Sequence, residues 1–309
     1  MIIVVGRGLI GGAVCHELRE RGQAPVTVAR SAPARAPGPP PSDSTHLRHD
    51  LDLPAGQAAL RADLERIGPR RIVLTHGPSD VSWMEENEER AARIHCGVAR
   101  LAADSGVPTL LISTDNVFSG ERGLMRPTDP VTPHNAYGRL KAEAERIVLA
   151  GGGRVLRVSL VYGHADAGYR ATYAQRCLAA AAAGAPFPAP VDQSFTPIHI
   201  DDVARVVAAR LTMPAGAGPV AGAGAVAHLA GPQELSRYEF ARLAYAAAGA
   251  DPELVRPCLR RDTPWASRPR YSSLACTDFR PLLPGHWPPA TPAAGLRRMV
   301  SATAGAAAP

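Results

Sequence analysis

Lysine is nearly absent from this chain. Of its 34 lysines and arginines together, one is a lysine, Lys141. Arginine in place of lysine looks like coding bias, so the surviving lysine marks a position where a guanidinium does not serve. Cysteine is also sparse. Cys15, Cys96, Cys177, Cys258 and Cys276 are scattered, odd in number and never spaced C-x-x-C, which excludes a disulfide framework, argues against zinc and fits reduced thiols in a cytoplasmic protein. No apolar run is long and pure enough to span a bilayer, and the opening apolar stretch Met1 to Val5 carries neither a basic leader nor a cleavage site, so no signal peptide is expected. The formal charge of +6 comes from dispersed arginines without basic runs or interleaved aromatics, which argues against nucleic acid as a partner.

What is present is β/α alternation. The 309 residues suffice for two lobes or one large domain. Periodicity predicts strand Ile2 to Val5, helix Ile10 to Arg21 and strand Val26 to Ala29. Helix Ala55 to Ile67, strand Arg71 to Thr75, helix Glu85 to Ser105, strand Thr109 to Ser113, helix Asn135 to Ala150 and strand Val155 to Val161 follow. This pattern implies an α/β fold, a doubly wound parallel sheet with a smaller C-terminal substrate lobe. The expected division assigns 1–163 and 191–212 to the dinucleotide-binding domain and 164–190 and 213–299 to the substrate lobe. Residues 31–44 and 213–227 are rich in Pro, Gly and Ala and are expected as loops, and 300–309 as a disordered tail.

Between the first strand and first helix lies Gly6-Arg7-Gly8-Leu9-Ile10-Gly11. Glycines there allow a tight turn and close backbone approach, and the helix N-terminus offers free N–H groups to a pyrophosphate. The pattern alone is weak, but its place after a strand and before a helix makes it a Rossmann-type dinucleotide fingerprint. After the second strand, where an acidic residue would hold a ribose 2′-hydroxyl, stands Arg30, which suits a 2′-phosphate. NADPH is therefore the expected cofactor, with NADH possible.

Tyr137 and Lys141 lie four residues apart on one helix face. A phenol near pKa 10 is a poor acid at neutral pH, and an adjacent ammonium would favour its ionised form. Ser113, Thr114 and Asp115 fall at the carboxyl end of a predicted strand, where ligands sit in open α/β sheets, and Thr114 is the natural hydroxyl to hold a substrate carbonyl.

The GxGxxG turn, Ser113 to Gly120 (STDNVFSG), Tyr137 to Lys141 (YGRLK) and Leu156 to Gly163 (LRVSLVYG) together resemble the extended short-chain dehydrogenase/reductase family. Within it the chain is most similar to the dTDP-4-dehydrorhamnose reductases, from Met1 to about Leu283, including Asp192-Gln193, Pro197, Asp202-Val203-Ala204, Arg268-Pro269 and Ser273-Leu274. The resemblance implies a catalytic triad of Thr114, Tyr137 and Lys141. It implies that Gly8, Leu9, Ile10, Asp50, Leu51, Thr75, His76, Gly77 and Ile112 line the dinucleotide, and that Asp115 and Asn116 lie near the substrate. The implied substrate is a nucleotide sugar, and the family often dimerises through helices such as 85–105 and 135–150. Two positions depart from the family pattern. His95 stands where the family usually has asparagine, and Leu160 where the reductases have tryptophan.

Other readings stay open. A dehydratase on this fold would carry Asp-Glu after the threonine, whereas Asn116 cannot take a proton. An epimerase with tightly held NAD, or a non-catalytic cofactor-binding regulatory subunit, is also compatible. His46 and His49 have H-x-x-H spacing near Asp50 and Asp52, yet without a third ligand no metal site is expected. His199 is expected as a strand residue near the cleft. Arg157, Arg170 and Arg176 are candidates to meet a diphosphate.

Overall fold

The computed structural model describes residues 1–30, 46–164, 170–212, 224–263, 267–276 and 288–306. Strands β1 (Ile2–Val5), β2 (Val26–Ala29), β3 (His46–Arg48), β4 (Arg71–Leu74), β5 (Thr109–Thr114) and β6 (Arg154–Val158) lie in one parallel sheet. Short strands β7 (Val161–Tyr162), β8 (Phe187–Pro190), β9 (Ser194–Phe195) and β10 (Ile198–His199) precede β11 (Val226–Leu229), which completes the sheet beside β6. The order is β11-β6-β5-β4-β1-β2-β3, a doubly wound Rossmann fold.

Both faces of the sheet are covered, which is why β1 and β5 are buried along their whole length. Ile3 and Val5 pack with α2 (Pro54–Ile67), α5 (Val98–Asp104) and α6 (Ala136–Ala150). Ile2 and Val4 face the other way, against α1 (Leu9–Glu20) and α8 (Ile200–Thr212). The chain leaves β1 toward β2 and returns to β4 on the opposite side, so the strand order reverses between β1 and β4 and a crevice opens above their carboxyl ends.

The second lobe has its own aromatic core of Tyr162, Tyr173, Phe187, Phe195, Phe240 and Tyr245. Around it pack α7 (Tyr173–Ala182) and α9 (Arg237–Ala247), each started by a reciprocal capping box, Thr172 with Gln175 and Ser236 with Glu239. Strand β12 (Leu235–Ser236) pairs with β9, and β13 (Val255–Cys258) with β8. Among the described residues no helix is long and apolar enough to cross a membrane.

Four expectations are corrected. The helix foreseen over 85–105 is broken into α3 (Val81–Glu86), α4 (Glu88–Ala92), a π-helical turn (Arg93–Gly97) and α5. Asn87, whose side chain bonds back to the Trp83 carbonyl, makes the first break. The loop foreseen over 213–227 gives way to β11 at Val226, an edge strand of the central sheet contributed by a segment expected in the substrate lobe. Residues 213–223 and the expected loop over 31–44 lie outside the described residues. The run foreseen as one strand over 155–161 divides into β6 and β7, which pairs with β10 instead of the central sheet. The foreseen tail is helical as far as Ala306 in α10 (Pro292–Ala306), because Leu296 and Met299 bury themselves in the second core.

Candidate active site

At the end of β1 the turn is shaped by two glycines the protein itself requires. Gly6 has φ +99°, and a Cβ there would lie 2.6 Å from the His76 backbone nitrogen. A Cβ on Gly11 would overlap the Gly6 carbonyl. Gly8 is different: its φ of −67° suits any residue, and among the described residues nothing lies within 4 Å of where its Cβ would be. Open space lies in front of the turn. Gly8 caps α1 without a side-chain bond and the first turn holds no acidic residue, so free N–H groups face that space. Thr75 Oγ1 donates to the Val5 and Gly6 carbonyls at 3.1 and 3.0 Å, tying the end of β4 to the turn.

Of the other expected cofactor residues, Leu9 and Ile10 pack partly buried beneath the turn. Arg7 is half-buried in it and Arg30 is exposed beyond β2. Asp50 accepts from the Asp52 backbone at 3.2 Å. Leu51 and Ile112 are core side chains, so neither presents an apolar surface to a ligand. Their carbonyls accept from Gln57 and Lys141, respectively.

The catalytic candidates meet at the carboxyl end of β5. Helix α6 begins there because Asn135 caps it, accepting from Gly138 N at 2.8 Å, and because Glu85 accepts from Ala136 N at 2.6 Å. Tyr137, Lys141 and Glu145 then recur on the α6 face turned to β5. Lys141 is buried and its Nζ donates to the Ile112 carbonyl at 2.7 Å. Burial lowers the ammonium to about 8, against the pull of Glu145 and Cys96. Burial raises the Tyr137 phenol to about 12, with Asp115 adding to the rise and the Thr114 hydroxyl and Arg268 opposing it. The Tyr137 phenol is therefore neutral at physiological pH. The cation that acts on it here is Arg268, whereas Lys141 acts on two buried histidines.

Those histidines are His76 and His95. Burial, then the charge of Lys141, lowers His76 to about 3 and His95 well below the usual imidazole range. Their Nε2 atoms face carbonyls of Ile94 and Pro78 at 3.1 and 3.2 Å, so each Nε2 carries the proton. Each Nδ1 is then a buried lone pair without a hydrogen-bond partner among the described residues. His95 lies in the π-helical turn, 6.2 Å from the Tyr137 ring, and its ring occupies the place a side chain on Gly77 would take. The departure from asparagine thus coincides with a distorted helix, a feature frequent at functional sites.

Thr114, Asp115 and Asn116 form one network. Asp115 accepts from Thr114 Oγ1 at 3.1 Å, Asn116 Nδ2 at 2.7 Å and Ser159 Oγ at 3.1 Å, yet burial still raises its pKa. Asn116 Oδ1 accepts from Asn135 at 3.1 Å, joining the network to the cap of α6. Ser159 and Asn135 were not foreseen as members, although the LRVSLVYG run contains the first.

Arg157 is corrected as a candidate for a diphosphate. It is buried, gripping Glu145 through Nε at 3.0 Å and Nη2 at 2.7 Å, while Ser113 Oγ bonds the same carboxylate at 2.5 Å. Arg170 bridges to Asp80 at 2.9 Å, and Arg176 lies on α7. A different arginine faces the site: burial lowers Arg268 to about 10, reinforced by the charges of Arg237 and Arg170. Arg268 stood in the sequence only as part of the Arg268-Pro269 resemblance, with nothing in so arginine-rich a chain to mark its place beside Tyr137. His46 and His49 turn to separate partners, Thr27 at 2.9 Å and Asp63 at 2.7 Å. His199 stands edge-on to Tyr162 in β10. Leu160 packs partly buried against the second lobe's core.

Residues 1–301 match the family model described as RmlD substrate binding domain. A probable dTDP-4,6-dihydroxy-2-methyloxan-3-one 4-ketoreductase of Streptomyces antibioticus is 30% identical over 252 residues, 77% of this chain and 80% of that protein. The dTDP-4-dehydrorhamnose reductase of Mycobacterium tuberculosis is 31% identical over 209 residues, 64% of this chain and 66% of that one. The crystal structure of the Bacillus anthracis dTDP-4-dehydrorhamnose reductase in complex with NADP superposes with a TM-score of 0.76 at 20% identity, covering 98% of this chain and 99% of that one. The chain belongs to the RmlD family, and with it to the oxidoreductases of the extended short-chain dehydrogenase/reductase type.

Proposed function

We propose that the protein reduces the ketone of a nucleotide-linked 4-keto-deoxysugar, with NADPH as hydride donor and Tyr137 as proton donor. The observation that carries this reading is the meeting of a neutral Tyr137, bonded by Thr114, with Lys141 at the carboxyl end of β5, two strands from the open glycine turn. The relatives named for reduction of dTDP-linked 4-ketones agree with it.

The residues present fit a dinucleotide. The unfilled space at Gly8 and the uncapped N-terminus of α1 suit a pyrophosphate, with Thr75 to Gly77 forming the opposite wall. The chemistry a bound NADPH supplies is hydride. Tyr137 gives its proton to the oxygen that becomes negative as the carbonyl carbon is reduced, and Thr114 holds that oxygen by a hydrogen bond. Lys141, one turn further along α6 and held by the Ile112 carbonyl, supplies a buried ammonium to hold the ribose of a bound dinucleotide. Arg268, on the substrate lobe and only partly buried, suits a diphosphate.

The test is reduction of a dTDP-4-keto-6-deoxyhexose by NADPH, followed in wild type and Tyr137→Phe. Loss of the phenolic proton should lower kcat by about 10²- to 10⁴-fold. Near wild-type turnover in Tyr137→Phe would dismiss the assignment.

A further inference from the structure

We infer that Arg48, with Arg30, forms a two-armed clamp for the adenosine 2′-phosphate, making Arg48 a determinant of NADPH over NADH. The inference rests on the cofactor proposed above and adds a residue on a strand that no motif marks.

Placement follows from register. Val4 pairs with Thr27 and Thr27 with His46, and Val4 packs against α1, so this row of side chains faces α1. Two residues further, the row becomes Gly6, Ala29 and Arg48, with Gly6 N bonded to the Val28 carbonyl at 2.8 Å. Arg48 thus stands at the carboxyl edge of the sheet, on the side from which α1 leaves the glycine turn. Ala29 is small and leaves the guanidinium room to cross β2. There Arg48 Nε donates to the Arg30 carbonyl at 3.2 Å, which fixes the planar group over the end of β2. The side chain is otherwise exposed. Arg30 is exposed beside it, and among the described residues neither forms a salt bridge with a carboxylate. Two guanidiniums without a carboxylate partner among the described residues, at the end of β2 where the proposed cofactor's adenosine ribose would lie, are matched by a dianionic phosphate, which arginine binds through paired N–H groups. A 2′-hydroxyl offers them little.

The experiment titrates NADPH and NADH separately into wild type, Arg48→Ala, Arg30→Ala and Arg48→Lys, reading nicotinamide fluorescence without substrate. Arg48→Ala should weaken NADPH by about tenfold or more and leave NADH within about twofold, with Arg48→Lys between the two. Equal losses for both cofactors, or no loss for NADPH, would overturn the inference. If the wild-type protein binds NADPH and NADH equally, the clamp fails while the reductase reading stands. If it binds neither, the reductase reading itself fails. Because Arg48 is exposed, unfolding is not expected, and the melting temperature of each variant checks this.

Discussion

A single buried lysine with its charge weakened by burial should show itself in the pH dependence of the free enzyme. Lys141 is charged below about 8, and the account needs that charge, so kcat/KM for ketone reduction should fall on the alkaline side with an apparent pKa near 8. Lys141→Arg keeps its charge and should lose this limb along with much of its rate. A wild-type profile level up to pH 10 would contradict the assignment. The two buried histidines make an independent statement about stability. Each has a folded pKa below its unfolded value near 6.5, so the unfolded chain binds more protons below that pH and stability falls as pH drops from 6.5 toward about 3. The slope approaches about 1.4 kcal/mol per pH unit for each histidine. Urea unfolding of wild type and His95→Asn between pH 7 and 4 should give a smaller slope in the variant; identical slopes would show that His95 is protonated or exposed in the fold.

At the scale of elements, the glycine turn divides into residues that serve the fold and one that serves a ligand. Gly11→Val should destabilise by overpacking against Gly6, by about 1–3 kcal/mol. Gly8→Val should leave the melting temperature almost unchanged while abolishing nicotinamide-cofactor binding, as measured by fluorescence titration. Beneath α6, Glu145 is held by Arg157 and Ser113. Removing one partner of this buried pair, as in Glu145→Ala, should cost about 3–5 kcal/mol in denaturant unfolding, whereas Glu145→Leu with Arg157→Met should be far milder. Elements with a strong local signature were legible from sequence: β1 with its glycines, β5 with Thr114, and α6 with its Asn135 cap and Tyr137-to-Lys141 spacing. The π-helical turn was not, because one extra residue leaves the apolar pattern of 85–105 almost intact. Nor was β11, whose approach is Ala- and Gly-rich, nor the Glu145–Arg157 pair, which joins a helix to a strand through tertiary packing alone.

For the whole molecule, the proposed reduction draws on residues from both hydrophobic cores. The central sheet contributes Thr114 and its flanking helix α6 Tyr137 and Lys141, whereas Arg237, Arg268 and the Ser272 hydroxyl that reaches Asp115 come from the second lobe. This division explains why the proposed cofactor side could be read from motifs, while the proposed substrate side, built from aromatic packing and dispersed arginines, could not. It also separates a reductase from an internal redox cycle on the same fold. A reductase passes hydride from an external cofactor into the product for good; an epimerase returns it to the same sugar. The most direct measurement supplies NADPH carrying deuterium at C4, in each of its two stereochemical forms, together with a dTDP-4-keto-6-deoxyhexose, and locates the label by NMR. The account predicts one deuterium at C4 of the product sugar from one of the two forms, with stoichiometric NADP⁺. A transformed sugar without deuterium, or no oxidation of NADPH, would contradict it.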